Sequence, residues 1–395
     1  MPSVRGTRHL AVFALIALAA CSASDDSVSE SELFGDASSP STVPTGDLTS
    51  TEPEPIPDGP LAEVCPATVV IQTTGEPGVP LGPLYLLAGP DAVVEEGAVS
   101  GPFTRADGTV DDITLVVRSG GPATGFQDAV SVAAADDTIT FVHTSISAML
   151  RRHSETAMVA VAVLTDRSHV AVLVDPVTYP GVAGLDDVAA AGIEIRHFTD
   201  APAFEFLGST GTLSPGQLVD GFDGGPATFV AAEGTIAQQG DLLVDPALFA
   251  SLPQWSRPVT AISLGDAGWD DHDDVLAVPA SALEDRSECL ARVVPLVQQA
   301  IGSYADDPAA TNVLLAQART ASDPLSRVTA ELLDVGAEEA VALGVIGEGV
   351  DGTVGDVDAD RLGPFLPELA AALGVDEVPI DELIDDSFID PAVGL

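Results

Sequence analysis

From residue 68 to residue 278 this chain alternates short β-branched runs with short runs of helical character, and from Ser281 onward the alternation stops. That change of pattern limits the fold more than any other feature of the sequence. Runs at 68–72, 113–117, 138–142, 159–164, 169–174, 193–196, 242–244, 259–264 and 275–278 read as strands. Runs at 185–191, 203–207 and from 229 read as helices between them. Beyond 281 the pattern is helical over 289–304, 312–318, 325–343 and 358–373. Strands alternating with helices predict an α/β chain with largely parallel sheets, here followed by a helical C-terminal segment.

The N-terminus sets the compartment. Arg5 and Arg8 precede an apolar block over 10–20, too short to cross a bilayer, which takes about 20 apolar residues. This is the pattern of a secretory signal. It ends in Leu18-Ala19-Ala20-Cys21, which resembles the lipobox of bacterial lipoproteins, where the cysteine is acylated and becomes the first residue of the mature chain. An ordinary signal peptide with an incidental cysteine is the alternative. The expectation is a signal peptide over 1–21, lipidation at Cys21, and an extracytoplasmic protein held to the bacterial cell membrane by its lipid alone. Residues 22–64 are rich in Ser, Asp, Glu, Thr and Pro. They carry little apolar surface to bury and predict a disordered tether.

Composition removes several classes of function. The 395 residues include 14 basic and 61 acidic side chains, a net charge of −47, and every basic residue is Arg. Such a surface has no row of cations to neutralise phosphates, so nucleic acid is excluded as a partner, and so is electrostatic docking on anionic lipid. With Cys21 assigned to the lipid, Cys65 and Cys289 remain. An oxidising compartment favours a disulfide between them; two buried free thiols would also fit.

Catalytic motifs are absent from the sequence. There is no His-Glu-x-x-His, no Gly-x-Ser-x-Gly and no P-loop. Asp270-Asp271-His272-Asp273-Asp274 reads as an exposed acidic loop rather than a cation site. Asp356-x-Asp358-x-Asp360 fails as a calcium loop, because Arg361 stands where Gly is needed and Pro367 where Glu is needed. An acidic first helical turn accounts for it. No metal, cofactor or enzymatic activity is expected. One pattern invites a binding role: Gly-Gly-Pro-Ala-Thr occurs at 120–124 and again at 224–228, each before a helical run. Two such turns could aim free backbone N–H groups at an acceptor, or be ordinary turns.

The order of these pieces resembles the solute-binding lipoproteins of ABC importers, in the branch that includes nitrate-, sulfonate- and thiamine-pyrimidine-binding proteins. The resemblance rests on the strand at 68–72 with its Pro/Gly loop and Gly82-Pro83-Leu84-Tyr85-Leu86, on 113–121, on 136–145, and on 232–246. It spans roughly 66–365. It implies a two-lobed periplasmic-binding-protein fold of type II. Lobe 1 would take 65–164 and 275–395, lobe 2 would take 168–270, and two crossings near 164–168 and 270–275 would form a hinge. The ligand would lie in the cleft, near Thr74, Glu76, Gly120, Gly121, Thr144, Ser145, Asp166, Gly224, Gly225, Asp266 and Trp269. The resemblance further implies a monomer that takes a small polar solute to an ABC permease and its ATPase. An enzyme of the thiamine-pyrimidine-synthesis type, or an envelope lipoprotein that binds nothing small, are the alternatives. Relatives often carry an aromatic residue after the first strand; here that loop reads Thr73-Thr74-Gly75-Glu76-Pro77. Trp269 could supply a stacking face instead, or be packed in the core.

Overall fold

The computed structural model describes residues 59–95 and 97–395. The signal segment, Cys21 and the tether up to residue 58 lie outside the described residues. The ordered body begins before Cys65. Leu61–Glu63 form a 3-10 turn whose Leu61 is fully buried, which shortens the expected tether at its C-terminal end.

Two sheets organise the rest. The first is entered by β1 (Thr68–Gln72), β2 (Val93–Glu95), β3 (Ala98–Thr104), β4 (Val110–Arg118), β5 (Phe141–Thr144) and β6 (Met158–Val163). The second holds β7 (Val170–Val174), β8 (Ile195–His197), β9 (Leu218–Asp220), β10 (Ala237–Asp241) and β11 (Thr260–Ser263). The chain then returns to the first sheet as β12 (Val275–Pro279). The orders are β2-β3-β4-β1-β5-β12-β6 and β11-β7-β10-β8-β9. Two lobes joined by two crossings, 164–169 and 264–274, follow from this connectivity.

The sheets are mixed rather than largely parallel. Among the described residues only β1–β4, β1–β5, β8–β9 and β8–β10 run parallel; β2, β3, β11 and β12 enter antiparallel. The antiparallel return of β12 between β5 and β6 makes the crossings possible, because the chain re-enters the first sheet from the second-lobe side. Burial follows position. In β4 every second residue from Asp111 to Val117 is buried, while β6, covered on both faces, is buried throughout.

The helices are α1 (Gly82–Leu86), α2 (Ala129–Ala135), α3 (Ile146–Arg152), α4 (Leu185–Ala191), α5 (Pro202–Ser209), α6 (Ala227–Ala231), α7 (Asp245–Ser251), α8 (Leu283–Asp306), α9 (Ala309–Ser322), α10 (Ala330–Ala342), α11 (Ala359–Leu373) and α12 (Ile380–Leu383). The helical C-terminal segment is α8 to α12. The 242–244 run, read as a strand, is instead a loop: Asp241 Oδ1 accepts from the N–H groups of Leu243 (2.5 Å) and Val244 (2.8 Å) and turns the chain into α7. Asp358 caps α11 by accepting from Arg361 N at 3.0 Å, as the acidic first turn implies.

Alternate residues of β1 serve two cores. Val69 and Ile71 face one, with α1, α8 and α9; Val70 faces the other, with α2, α3 and α11. Cys65 and Cys289 are bonded, with their Cα atoms 4.9 Å apart, and tie the start of the first lobe to α8. No helix of the described residues is long and apolar enough to cross a membrane.

Candidate functional site

The carboxyl ends of β1, β4 and β5 meet at one edge of the first sheet. Gln72 closes β1 and donates through Nε2 to Thr73 O at 3.0 Å. Thr73 Oγ1 donates to Gly75 O (2.8 Å) and accepts from Gly120 N (3.0 Å), and Gly121 N donates to Thr74 O (3.0 Å). The turn after β4 is thereby sewn to the loop after β1. A Cβ on Gly120 would stand 2.1 Å from Thr74 O, so only glycine fits there. Thr74 Oγ1 donates to His143 O at 2.9 Å and brings in the end of β5. Thr74, Glu76, Gly120, Gly121 and Thr144 therefore belong to one cluster at the strand ends. Ser145 adjoins it, but its hydroxyl is used as the cap of α3, accepting from Ala148 N at 3.1 Å.

Among the described residues, the buried atoms Glu76 Oε1, His143 Nδ1 and Thr144 Oγ1 in this cluster have no hydrogen-bond partner. Buried polar groups are nearly always satisfied by protein or by water. Burial pushes the Glu76 carboxyl up, against Arg319 of α9, whose Nη2 lies 2.9 Å from Glu76 Oε2 and whose Nη1 donates to Pro77 O at 3.0 Å.

The acidic run 270–274 is not an exposed loop. It is the second crossing, and Asp271, His272 and Asp274 are buried. A buried charge is costly unless paired; Asp274 is paired, while Asp271 and His272 are shifted toward their neutral forms. Asp274 Oδ1 lies 3.0 Å from His143 Nε2; its Oδ2 lies 3.3 Å from His169 Nε2 and accepts from Thr165 Oγ1 at 2.8 Å. His169 Nδ1 reaches Asp241 Oδ2 in the second lobe at 2.9 Å. Burial alone would raise Asp274, but His169 and His143 hold it well below the usual carboxylate range. Burial works against a charged His169, yet Asp274 and Asp241 hold it well above an ordinary imidazole. Asp271 accepts from Ser147 N at 3.2 Å, and burial, then Asp273, push it up. Burial and Arg361 push His272 down to about 4.

The other expected residues fall elsewhere. Trp269 is 2% exposed, wedged between Phe206 and Phe365, and its Nε1 donates to Asp273 at 3.2 Å. An indole buried on both faces has no room for a stacked ligand, so its role is packing. Asp266 is exposed in a turn after β11. Asp166 lies in the first crossing, against Arg361, beside a cavity of about 10 Å³ that is large enough for one water. The two Gly-Gly-Pro-Ala-Thr copies differ in conformation. Gly121 has φ +59° and its copy curls into a 3-10 turn ahead of α2; in the second, Gly224 has φ +84° and α6 starts inside the copy. Gly224 lies against Phe198, and Gly225 N donates to Asp223. Among the described residues no hydrogen bond joins the two copies.

Among solved structures, the periplasmic nitrate-binding protein NrtA from Synechocystis PCC 6803 matches with TM-score 0.53 at 12% identity, over 82% of this chain and 87% of that one. The periplasmic aliphatic sulphonate binding protein SsuA from Escherichia coli matches with TM-score 0.52 at 15% identity, over 81% and 92%. The fold is that of the periplasmic binding proteins. A ligand-binding component of an ABC-type import system from Staphylococcus aureus, with zinc bound, matches at 0.51 and 13% identity, over 81% and 97%. At these identities the likeness is one of fold. No protein-family model matches the sequence, and no curated protein is similar to it.

Within the periplasmic-binding-protein fold the cluster lies at the carboxyl ends of parallel strands beside the crossings, where open α/β sheets take ligands. His143, His169, Asp241, Asp274 and Arg319 escape the sequence reading. The signal for the first was available: His143 directly precedes Thr144 at a strand end. The charged run 270–274 also coincides with an expected crossing, where exposure is the wrong inference. Among the described residues no group of three or more His, Cys, Asp or Glu is arranged to hold a metal ion.

Proposed function

We propose that this chain is an extracytoplasmic, lipid-anchored solute-binding protein that captures a small polar molecule and delivers it to an ABC permease and its ATPase. It acts as a monomer and without chemistry of its own. The lobes are taken as 65–164 with 275–395, and 168–270, with the C-terminal helices reaching over both. Three things support the reading: the periplasmic-binding-protein fold, the signal segment ending at Cys21, and the polar cluster at the ends of β1, β4 and β5. The observation that carries it is the set of buried polar atoms without protein partners, His143 Nδ1 and Thr144 Oγ1 above all. They sit at the end of β5, which Thr74 joins to the turn holding Gly120 and Gly121, and a polar solute would complete their hydrogen bonds.

Thermal denaturation against a panel of small polar solutes tests this. A solute that binds only the folded state raises its stability by RT ln(1 + [L]/Kd). One chemical class should raise the midpoint in a saturable way, and a flat response across sugars, amino acids, sulfonates, carboxylates and amines contradicts the reading. The anchor is tested separately. The wild type should fractionate with membranes and Cys21→Ser should not, since acyl chains supply the anchor.

A further inference from the structure

We propose that the C-terminal helices clamp the two lobes at one angle, so that the hinge of this chain does not swing freely as the two-lobed architecture alone would allow. The clamp goes beyond the binding role and does not depend on what the cleft takes.

On one side, α10 lies between the lobes. It packs on the 79–81 turn of the first lobe and on α7 of the second. The contact is closest at Gly336, where a Cβ would stand 2.8 Å from Val244 Cγ2 and 3.0 Å from Val79 Cγ2. Glycine inside a helix is unfavourable relative to alanine, and its use here follows from that close approach to both lobes. Leu333, Ala337 and Ala340 of α10 share one core with Val79 of the first lobe and Leu243 and Val244 of the second. The preceding helix adds Arg319. It is held by Glu76 and Pro77 of the first lobe and by its own Ser326 at 3.0 Å, and its charge also acts on Asp245 of the second.

On the opposite face of the first sheet, α11 does the same. It packs on α3 of the first lobe and α5 of the second. Phe365 lies 5.1 Å from Phe206 of the second lobe and 5.4 Å from Trp269 of the crossing. Leu362, Phe365, Leu366 and Leu369 share a core with Val142 and Ala160 of the first sheet and with Val172 and Ile195 of the second. Arg361 donates to Asp166 O in the first crossing and to His272 in the second. A hinge rotation would pull apart apolar contacts on both faces at once. Hinge closure is absorbed by a few loop or element-end residues; here α10 and α11 pack on both lobes beside those residues.

The test is the distribution of distances between spin labels placed by Val110→Cys and Val177→Cys. These exposed sites lie one in each lobe (59% and 67% exposed). The full chain carries Cys21→Ser, so that with Cys65 and Cys289 bonded only the engineered thiols react. The clamp predicts one narrow population. It also predicts a second population, or a clearly broader one, when Gly336→Leu forces α10 away. Should Gly336→Leu not fold, Arg319→Gln and Phe365→Ala loosen the two faces separately, and each should broaden the distribution. Two populations in the unmodified clamp overturn the proposal. So does a narrow distribution that Arg319→Gln and Phe365→Ala leave unchanged.

Discussion

His169 and Asp274 meet across the hinge: the imidazole Nε2 lies 3.3 Å from the carboxylate Oδ2, while its other nitrogen holds Asp241 of the second sheet at 2.9 Å. One side chain at the end of the first crossing thus joins the second crossing to the second lobe. Asp274 is held to the first lobe by His143. The hinge is an ionic knot whose members each depend on the others' charge.

That dependence fixes a pH signature for His169→Gln. The folded pKa of His169 is raised, so its contribution is fully present below the ordinary imidazole value of about 6.5 and is lost as pH rises through the folded value. At pH 6 the variant should lose about 3 kcal/mol, the scale of breaking a buried pair. Its deficit should narrow toward high pH. Chemical denaturation at several pH values measures this; a deficit that grows with pH is the contrary result.

Asp245 gives a signature of the same sign from a different cause. Burial and the nearby Asp241 push its carboxyl up to about 7. The folded state therefore holds this proton more tightly than the unfolded chain does, and stability falls as pH climbs from about 4 toward the folded value. Asp245→Asn keeps an oxygen to accept from Asp241 N, now 2.9 Å away. The variant should melt higher than wild type at pH 8 and together with it at pH 4. Equal gaps at both pH values refute the assignment.

The disulfide should matter through the unfolded chain. It closes a span of 224 residues, and removing such a link costs about 2–4 kcal/mol. Reduction should lower the melting midpoint without altering the far-ultraviolet circular dichroism of the folded protein. An unchanged midpoint means the bond contributes nothing.

Gly120→Ala should be costly although it adds one methyl. The new carbon would lie 2.1 Å from Thr74 O and 2.4 Å from Thr73 O, both backbone atoms. Overpacking of this kind costs about 1–3 kcal/mol. Gly125→Ala, with nothing within 4 Å but a positive φ of +64°, separates strain from collision. The Gly120 variant should be the less stable of the two.

Much of the fold could be read from the chain because local pattern and tertiary position agree. The strand at 68–72 and the helix at 185–191 have the bounds read from their apolar spacing. The β2–β3 hairpin was illegible because Gly101 and Pro102 interrupt its pattern. Gly101 is required where a Cβ would stand 2.2 Å from Ala88 O, a constraint that no local window contains. The cluster at the ends of β1, β4 and β5 was legible in part, since glycines and hydroxyls at strand ends are a local signal. The hinge was not. His143 and Asp274 are 131 residues apart, and in so acidic a chain five charged residues in a row look solvated until their partners are known. Trp269 failed for the same reason, its neighbours Phe206 and Phe365 coming from distant elements.

The central claim is that a small polar solute completes the cluster at the ends of β1, β4 and β5, and Thr144 tests it most directly. Its hydroxyl is buried with no partner among the described residues, so Thr144→Val should leave the stability of the free protein unchanged or slightly higher. Native mass spectrometry of the full chain, purified without denaturation, should show a fraction heavier by one small molecule. That fraction should be lost or sharply reduced in Thr144→Val. A single ligand-free mass in the wild type, or an identical bound fraction in the variant, contradicts the account.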